Sequence, residues 1–319
     1  MSLFKKIRRH AAVARGDFGA MFGDVEIPPL PAAVSRLVAE VNSAEPDVER
    51  LAKLLSSSPG LAAKVIKTVN SSFYGLRVPV DNVKRAVTLM GLEQVRTLSL
   101  AFATLDALPI PATEYFNHDI FWTDSLFRAT MARTLARKSL PDQLEQVFTV
   151  SLLADLAIPV LLDSWSDYYL PVFAERMSSG RRLADIERDH FNWDHAQAGA
   201  WILQGWGFPD ELVCCLACHT LNREELIEEG LDDSPVVPVA VASLLPSISK
   251  AKHENLQPFF LAVQTWLGFE DQELAGVLEE VRLAMADVFN LFKLPDHVAT
   301  DCLDLMTEVV AGRPEREDT

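Results

Sequence analysis

Four polar residues stand where a helical pattern calls for apolar ones, and their types are those that hold cations or move protons. From Tyr115 onward an apolar stripe runs Ile120, Asp124, Phe127, Met131 and Leu135, so Asp124 points inward with it. A carboxylate on such a face loses its charge, caps a backbone amide, pairs with an arginine or binds a cation, because an isolated buried charge is too costly. Arg128 lies about 40° from it around the helix. Further on, VFTVSLLADLAIPVLL is apolar nearly all round and predicts a central helix with Asp155 as its only ionisable group. Pro159 cannot donate to the Asp155 carbonyl, so a kink is expected beside this carboxylate. FNWDHAQAGAWILQGW starts a helix capped near Asn192 or Asp194 and puts His195, Ala198, Gly199 and Ile202 on one face. The helix after it places Leu212, Cys215, Leu216 and His219 on its buried side. Two carboxylates and two imidazoles from four successive helices could surround one hard cation and support metal-dependent hydrolysis.

The same region contains LVCCLACHT, in which Cys215, Cys218 and His219 spell C-x-x-C-H, the haem-attachment pattern. Covalent haem requires export, no signal peptide opens the chain, and no haem is expected. A zinc site from Cys215, Cys218, His219 and the remote Cys302 is disfavoured, since one helical turn plus a distant residue seldom closes a tetrahedron and buried cysteine serves as a small hydrophobe. In NSSFYG, Asn70 ends a helix ahead of Phe73 and Tyr74. These three are either contacts for a ligand or partner, or a helix stop with aromatics folded on the core.

The elements that position these groups are helical. Apolar residues recur at three and four almost throughout, no period-two segment is sustained, and the chain of 319 residues with 49% hydrophobic content can bury a large core. The fold class is all-α. Pro31 opens a first helix, Asp47 can cap a second, Ser58-Pro59 starts another, and Gly91 divides two more, giving five helices between Pro31 and Leu108. LPIPATEYFN is the expected seam before a second block with helices near 116–138, 142–162, 166–177, 193–206, 209–221 and 235–249. The acidic stretch REELIEEGLDDSP reads as a solvated connection, and two or three amphipathic helices follow Lys250. The divisions are thus a basic arm at 1–25, helical blocks at 26–110 and 111–250, and an extension at 251–319.

A formal charge of −16 argues against nucleic acid as a partner. The first sixteen residues are the exception, with five basic residues and no acid, and MSLFKKIRRH could make weak contact with a membrane surface or remain a solvated arm. Eighteen consecutive apolar residues occur nowhere, so no transmembrane segment and a cytoplasmic location are expected.

Taken together the motifs resemble the HDOD domain, a degenerate relative of the HD phosphohydrolases found in bacterial signalling proteins. EIPPLP, SSSPGLAAKVIKTVNSSFYG and VKRAVTLMGL resemble its N-terminal half. FWTDS resembles a Trp-x-His-Ser signature, SLLADLA a Leu-Leu-His-Asp-x-Gly one, WDHAQAGAWILQGWGFP a His, Gly and Trp segment, and ACH a His-His pair. The resemblance covers residues 26 to 245 and implies a multi-helix HDOD-like fold. By that likeness Asp124 stands in place of a first histidine, Ala154 replaces the histidine of the His-Asp pair, and Asp155 keeps its aspartate. His195 and His219 are retained, Cys218 and Ala157 are replacements, and a last aspartate is lost to Val241 or Ser243. The resemblance therefore implies a pseudo-enzyme: a non-enzymatic signalling or scaffolding module with a vestigial metal site at Asp124, Asp155, His195 and His219, no required cofactor, and signalling proteins as partners. Two alternatives stay open. One is a phosphohydrolase using a divalent metal on the altered Asp/His set; the other is a sensor of a small nucleotide ligand without turnover.

Overall fold

The computed structural model describes residues 18, 30, 32–45, 47–71, 74, 78–292 and 296–312, and no strand occurs among them. The basic arm apart from Phe18, together with Phe73 and most of EIPPLP, lies outside the described residues. The first block holds α1 (Ala32–Val41), α2 (Val48–Ser56), α3 (Pro59–Val69), α4 (Val83–Met90) and α5 (Leu92–Asp106). Their punctuation follows the sequence. Asp47 caps α2 by accepting from the Glu49 amide, Pro59 is the first residue of α3, and Gly91 at φ 96° separates α4 from α5.

The second block begins with α6 (His118–Ala136) and α7 (Leu144–Leu153), followed by α8 (Ala157–Ser164) and α9 (Ser166–Ser179). The single helix expected over 142–162 is two, divided at residues 154–156. Pro159 has no amide to give the Asp155 carbonyl, and the Ile158 amide takes that acceptor at 3.0 Å, closing a tighter turn. Pro141–Ser164 has the length and apolarity of a membrane span, yet 83% of that window is buried within the protein, as a central core element would be.

Next come α10 (Leu183–Phe191), α11 (His195–Gly205), α12 (Asp210–Ala217), α13 (Arg223–Glu228) and α14 (Val236–Ser243). Neither α10 nor α13 was expected. The α10 segment LADIERDHF carries three further charged residues, Asp185, Arg188 and Asp189, that mask its buried stripe of Leu183, Ile186, Glu187 and Phe191, and α13 is a short turn inside the acidic connection. Three helices complete the chain: α15 (His253–Leu267), α16 (Asp271–Phe292) and α17 (Asp296–Ala311).

Helix α7 is the hub, packing on α5, α6, α12 and α14. One apolar cluster runs from Val34 to Val310 without a gap between blocks, so both blocks and the extension share a core. Helices α11 and α12 approach closely because Gly199 has no side chain: a Cβ there would stand 3.0 Å from Leu216 Cδ2. Replacing Gly199 by valine should therefore overpack this crossing and cost about 1–3 kcal/mol, read as a lower denaturant midpoint with an unchanged m-value.

Candidate functional site

The break after α7 holds Asp155 at the centre of four helices. Helix α6 brings Arg128 to it, with Nη1 2.5 Å from Asp155 Oδ2 and Nη2 donating to the Leu245 carbonyl at 2.9 Å. The other carboxylate oxygen faces two imidazoles: Oδ1 lies 3.4 Å from His195 Nε2 and 3.8 Å from His219 Nε2. Burial alone would raise the Asp155 pKa, but Arg128, followed by His195, holds it well below the usual carboxylate range.

His195 is placed by the turn that precedes it. Asn192 ends α10 in the left-handed region at φ 61°, Trp193 is buried against Phe191 and Trp165, and Asp194 caps α11 by accepting from the amides of Ala196 and Gln197. Asp194 Oδ2 also takes Arg188 and the Thr220 hydroxyl, each at 2.8 Å, which ties this cap to the segment after α12. The ring is then oriented from behind. Glu187 Oε2 accepts from the His195 amide at 2.9 Å and from Nδ1 at 2.6 Å, while Oε1 accepts from the Tyr169 hydroxyl. Burial would lower the His195 pKa, yet Glu187 and Asp155 raise it to about 10 and keep the ring an imidazolium.

His219, just past α12, is wholly buried and donates Nδ1–H to the Leu216 carbonyl at 2.7 Å. Burial, and then the charge of His195, lower it to about 4, so its ring is neutral, and Nε2 has no hydrogen-bond partner. Among the described residues, Asp155, His195 and His219 are the one group whose donor atoms could hold a metal ion, all lying within 4.8 Å of one another. Asp124 is not among them. Its Oδ1 accepts the Ile248 amide at 2.8 Å, and burial raises its pKa against the opposing charge of Arg128.

The other residues singled out in the sequence lie elsewhere. Asn70 brackets Val80, accepting its amide at 2.7 Å and donating to its carbonyl at 2.6 Å. Tyr74 donates to Glu145 at 2.7 Å beneath the Arg133 guanidinium. The four cysteines are free thiols, and burial raises Cys215 to about 12, far from thiolate.

A family model for the HDOD domain matches residues 27–221. The chain belongs to the HDOD family. No curated protein matches it. Its fold resembles that of a protein from Shewanella amazonensis SB2B named as a candidate phosphohydrolase, with TM-score 0.60 at 22% identity, covering 95% of this chain and 97% of that one. An HDOD domain protein of unknown function from Geobacter sulfurreducens has TM-score 0.60 at 19% identity over 94% and 98% of the two chains. A candidate signal transduction protein from Marinobacter aquaeolei VT8 has TM-score 0.58 at 20% identity, over 95% of this chain and 66% of that one.

In this HDOD protein the donor geometry and the charge disagree about a metal. Ligand atoms around a tetrahedral zinc stand about 3.4 Å apart, near the spacings found here, and Glu187 behind His195 is the carboxylate that a metal-bound imidazole ordinarily has. Yet a guanidinium occupies one Asp155 oxygen. Asp155, His195 and His219 offer three donor atoms, and the carboxylate among them already has a guanidinium partner.

Glu187 is the carboxylate of this cluster that sequence reasoning missed. The signal was its place on the apolar stripe of α10, the same anomaly that singled out Asp124.

The histidines set a pH dependence. His195 has its folded pKa above the ordinary 6.5, so its contribution is complete below that value and is lost as pH rises through about 10. His219 has its folded pKa below 6.5, so stability falls as pH drops from there toward about 4. Stability should peak near pH 6.5, and nitrogen-detected NMR at pH 8 should find His195 doubly protonated and His219 neutral.

Proposed function

We propose that this HDOD protein is a non-enzymatic signalling module, acting through contacts with protein partners or a small ligand. The observation that carries the reading is the Arg128 guanidinium on Asp155: the chain supplies its own cation to the carboxylate that would otherwise anchor a metal. Membership of the HDOD family supports it, as does the alanine at position 154 beside Asp155. The Marinobacter neighbour's description as a candidate signal transduction protein points the same way.

A second reading is a phosphohydrolase on an altered metal set, favoured by the partnerless Nε2 of His219 and by Glu187 behind His195. Elemental analysis of untagged protein, combined with assays on phosphomonoesters and cyclic dinucleotides with added Mg, Mn, Fe, Ni or Zn, separates the two. Substoichiometric metal and no turnover are expected. A stoichiometric ion that disappears in Asp155→Ala, together with hydrolysis, would overturn the non-enzymatic reading.

A further inference from the structure

Three of the four cysteines gather at the end of α12, and nothing in the Asp155 network uses them. Cys214 is exposed, Cys218 is half-buried, and Cys215 lies at the edge of the core with 7% of its surface open. Cys214 and Cys218 stand one helical turn apart, the spacing at which side chains on a helix are neighbours. The step from Cys215 to Cys218 is tighter. The Cys218 amide donates to the Cys215 carbonyl at 3.4 Å, a three-residue closure that brings the side chains of its first and last residues into line. Cys218 therefore has both other thiols as neighbours. Cys302, buried in α17, stands apart, with Asp124 the charge that acts on it.

What such a cluster can hold follows from donor number and charge. Thiols favour soft centres, but zinc asks for four donors in a tetrahedron, and this helix end supplies three. A bound cation would also need thiolates. Burial raises Cys215 and Cys218, and the acid Glu211 raises the first further, as Cys214 and then Glu229 do the second. A centre that binds three sulfurs and leaves no net charge avoids that cost, and trivalent arsenic is such a centre. The sulfurs do not already meet as the donors of Asp155, His195 and His219 do. Each hangs on a single side-chain torsion, so gathering them takes rotation about χ1 between staggered positions.

We propose that Cys214, Cys215 and Cys218 form a three-thiol site for a trivalent arsenic oxyacid at the end of α12. Arsenous acid, As(OH)3, exchanges its hydroxyls for the thiols: three As–O and three S–H bonds break, three As–S bonds form, and three waters leave. No electron is transferred and the product is neutral. The clamp closes directly before His219 and Thr220, whose side chains face Asp155 and bind Asp194, so capture reaches the buried network through consecutive residues. The site rests on the thiols alone. Metal-dependent turnover at Asp155 would sink the non-enzymatic reading and leave this one standing.

Native mass spectrometry of the full chain, reduced with a phosphine and exposed to arsenite, tests it. One arsenic per chain is expected, with a mass showing all three hydroxyls and three thiol protons lost. Cys214→Ser and Cys218→Ser should each weaken capture about tenfold or more, and Cys302→Ala should capture as the wild type does. Cys214 is exposed, so its variant keeps the test available if Cys218→Ser does not fold. No adduct, an adduct that keeps a hydroxyl, capture that needs Cys302, or unchanged capture in either folded serine variant overturns the proposal.

Discussion

A carboxylate in the middle of an apolar helix pair cannot remain charged alone, and Asp155 is held by meeting that constraint from three directions. Arg128 of α6 takes one oxygen, and His195 of α11 and His219 after α12 face the other. Each partner is fixed in turn: Arg128 by the Leu245 carbonyl, His195 by Glu187, and His219 by the Leu216 carbonyl. The register of four helices around α7 thus answers to one buried charge. Removing Arg128 would leave His195 as the one cation opposite Asp155, and removing Asp155 would leave Arg128 and His195 without their shared counter-charge, the costly case for buried ions.

The same network reaches the C-terminal extension. Arg128 and Asp124 hold residues 245 and 248, and the short turn Ile248–Lys250 packs against α17. Helix α16 packs on α6, the helix that carries both side chains. A shift of Arg128 or Asp124 would act on the segment that seats the extension, a physical route from the Asp155 cluster to an outer surface.

Much of this was legible in the chain because helical periodicity reports burial. Asp124, Asp155, His195 and His219 all broke an apolar pattern, all point inward, and Pro159 foretold the break beside Asp155. Caps were legible too, since Asp47 and Asp194 act within three residues of themselves. Partnership was not. Asp124 meets Ile248 across 124 positions and Arg128 meets Asp155 across 27, and local spacing carries no record of such pairs. The four inward groups consequently looked like one ligand set, whereas three gather and the fourth holds a backbone amide. Glu187 was hidden by the neighbouring charges of α10.

The central claim is that Arg128 is the counter-ion Asp155 depends on. A double-mutant cycle on unfolding free energy with Asp155→Asn, Arg128→Met and the pair tests it most directly. The account predicts that each single variant loses roughly 3–5 kcal/mol and that the double variant loses much less than their sum, with a coupling of about 2 kcal/mol or more. Losses that simply add would show that the two charges do not depend on each other, and would contradict it.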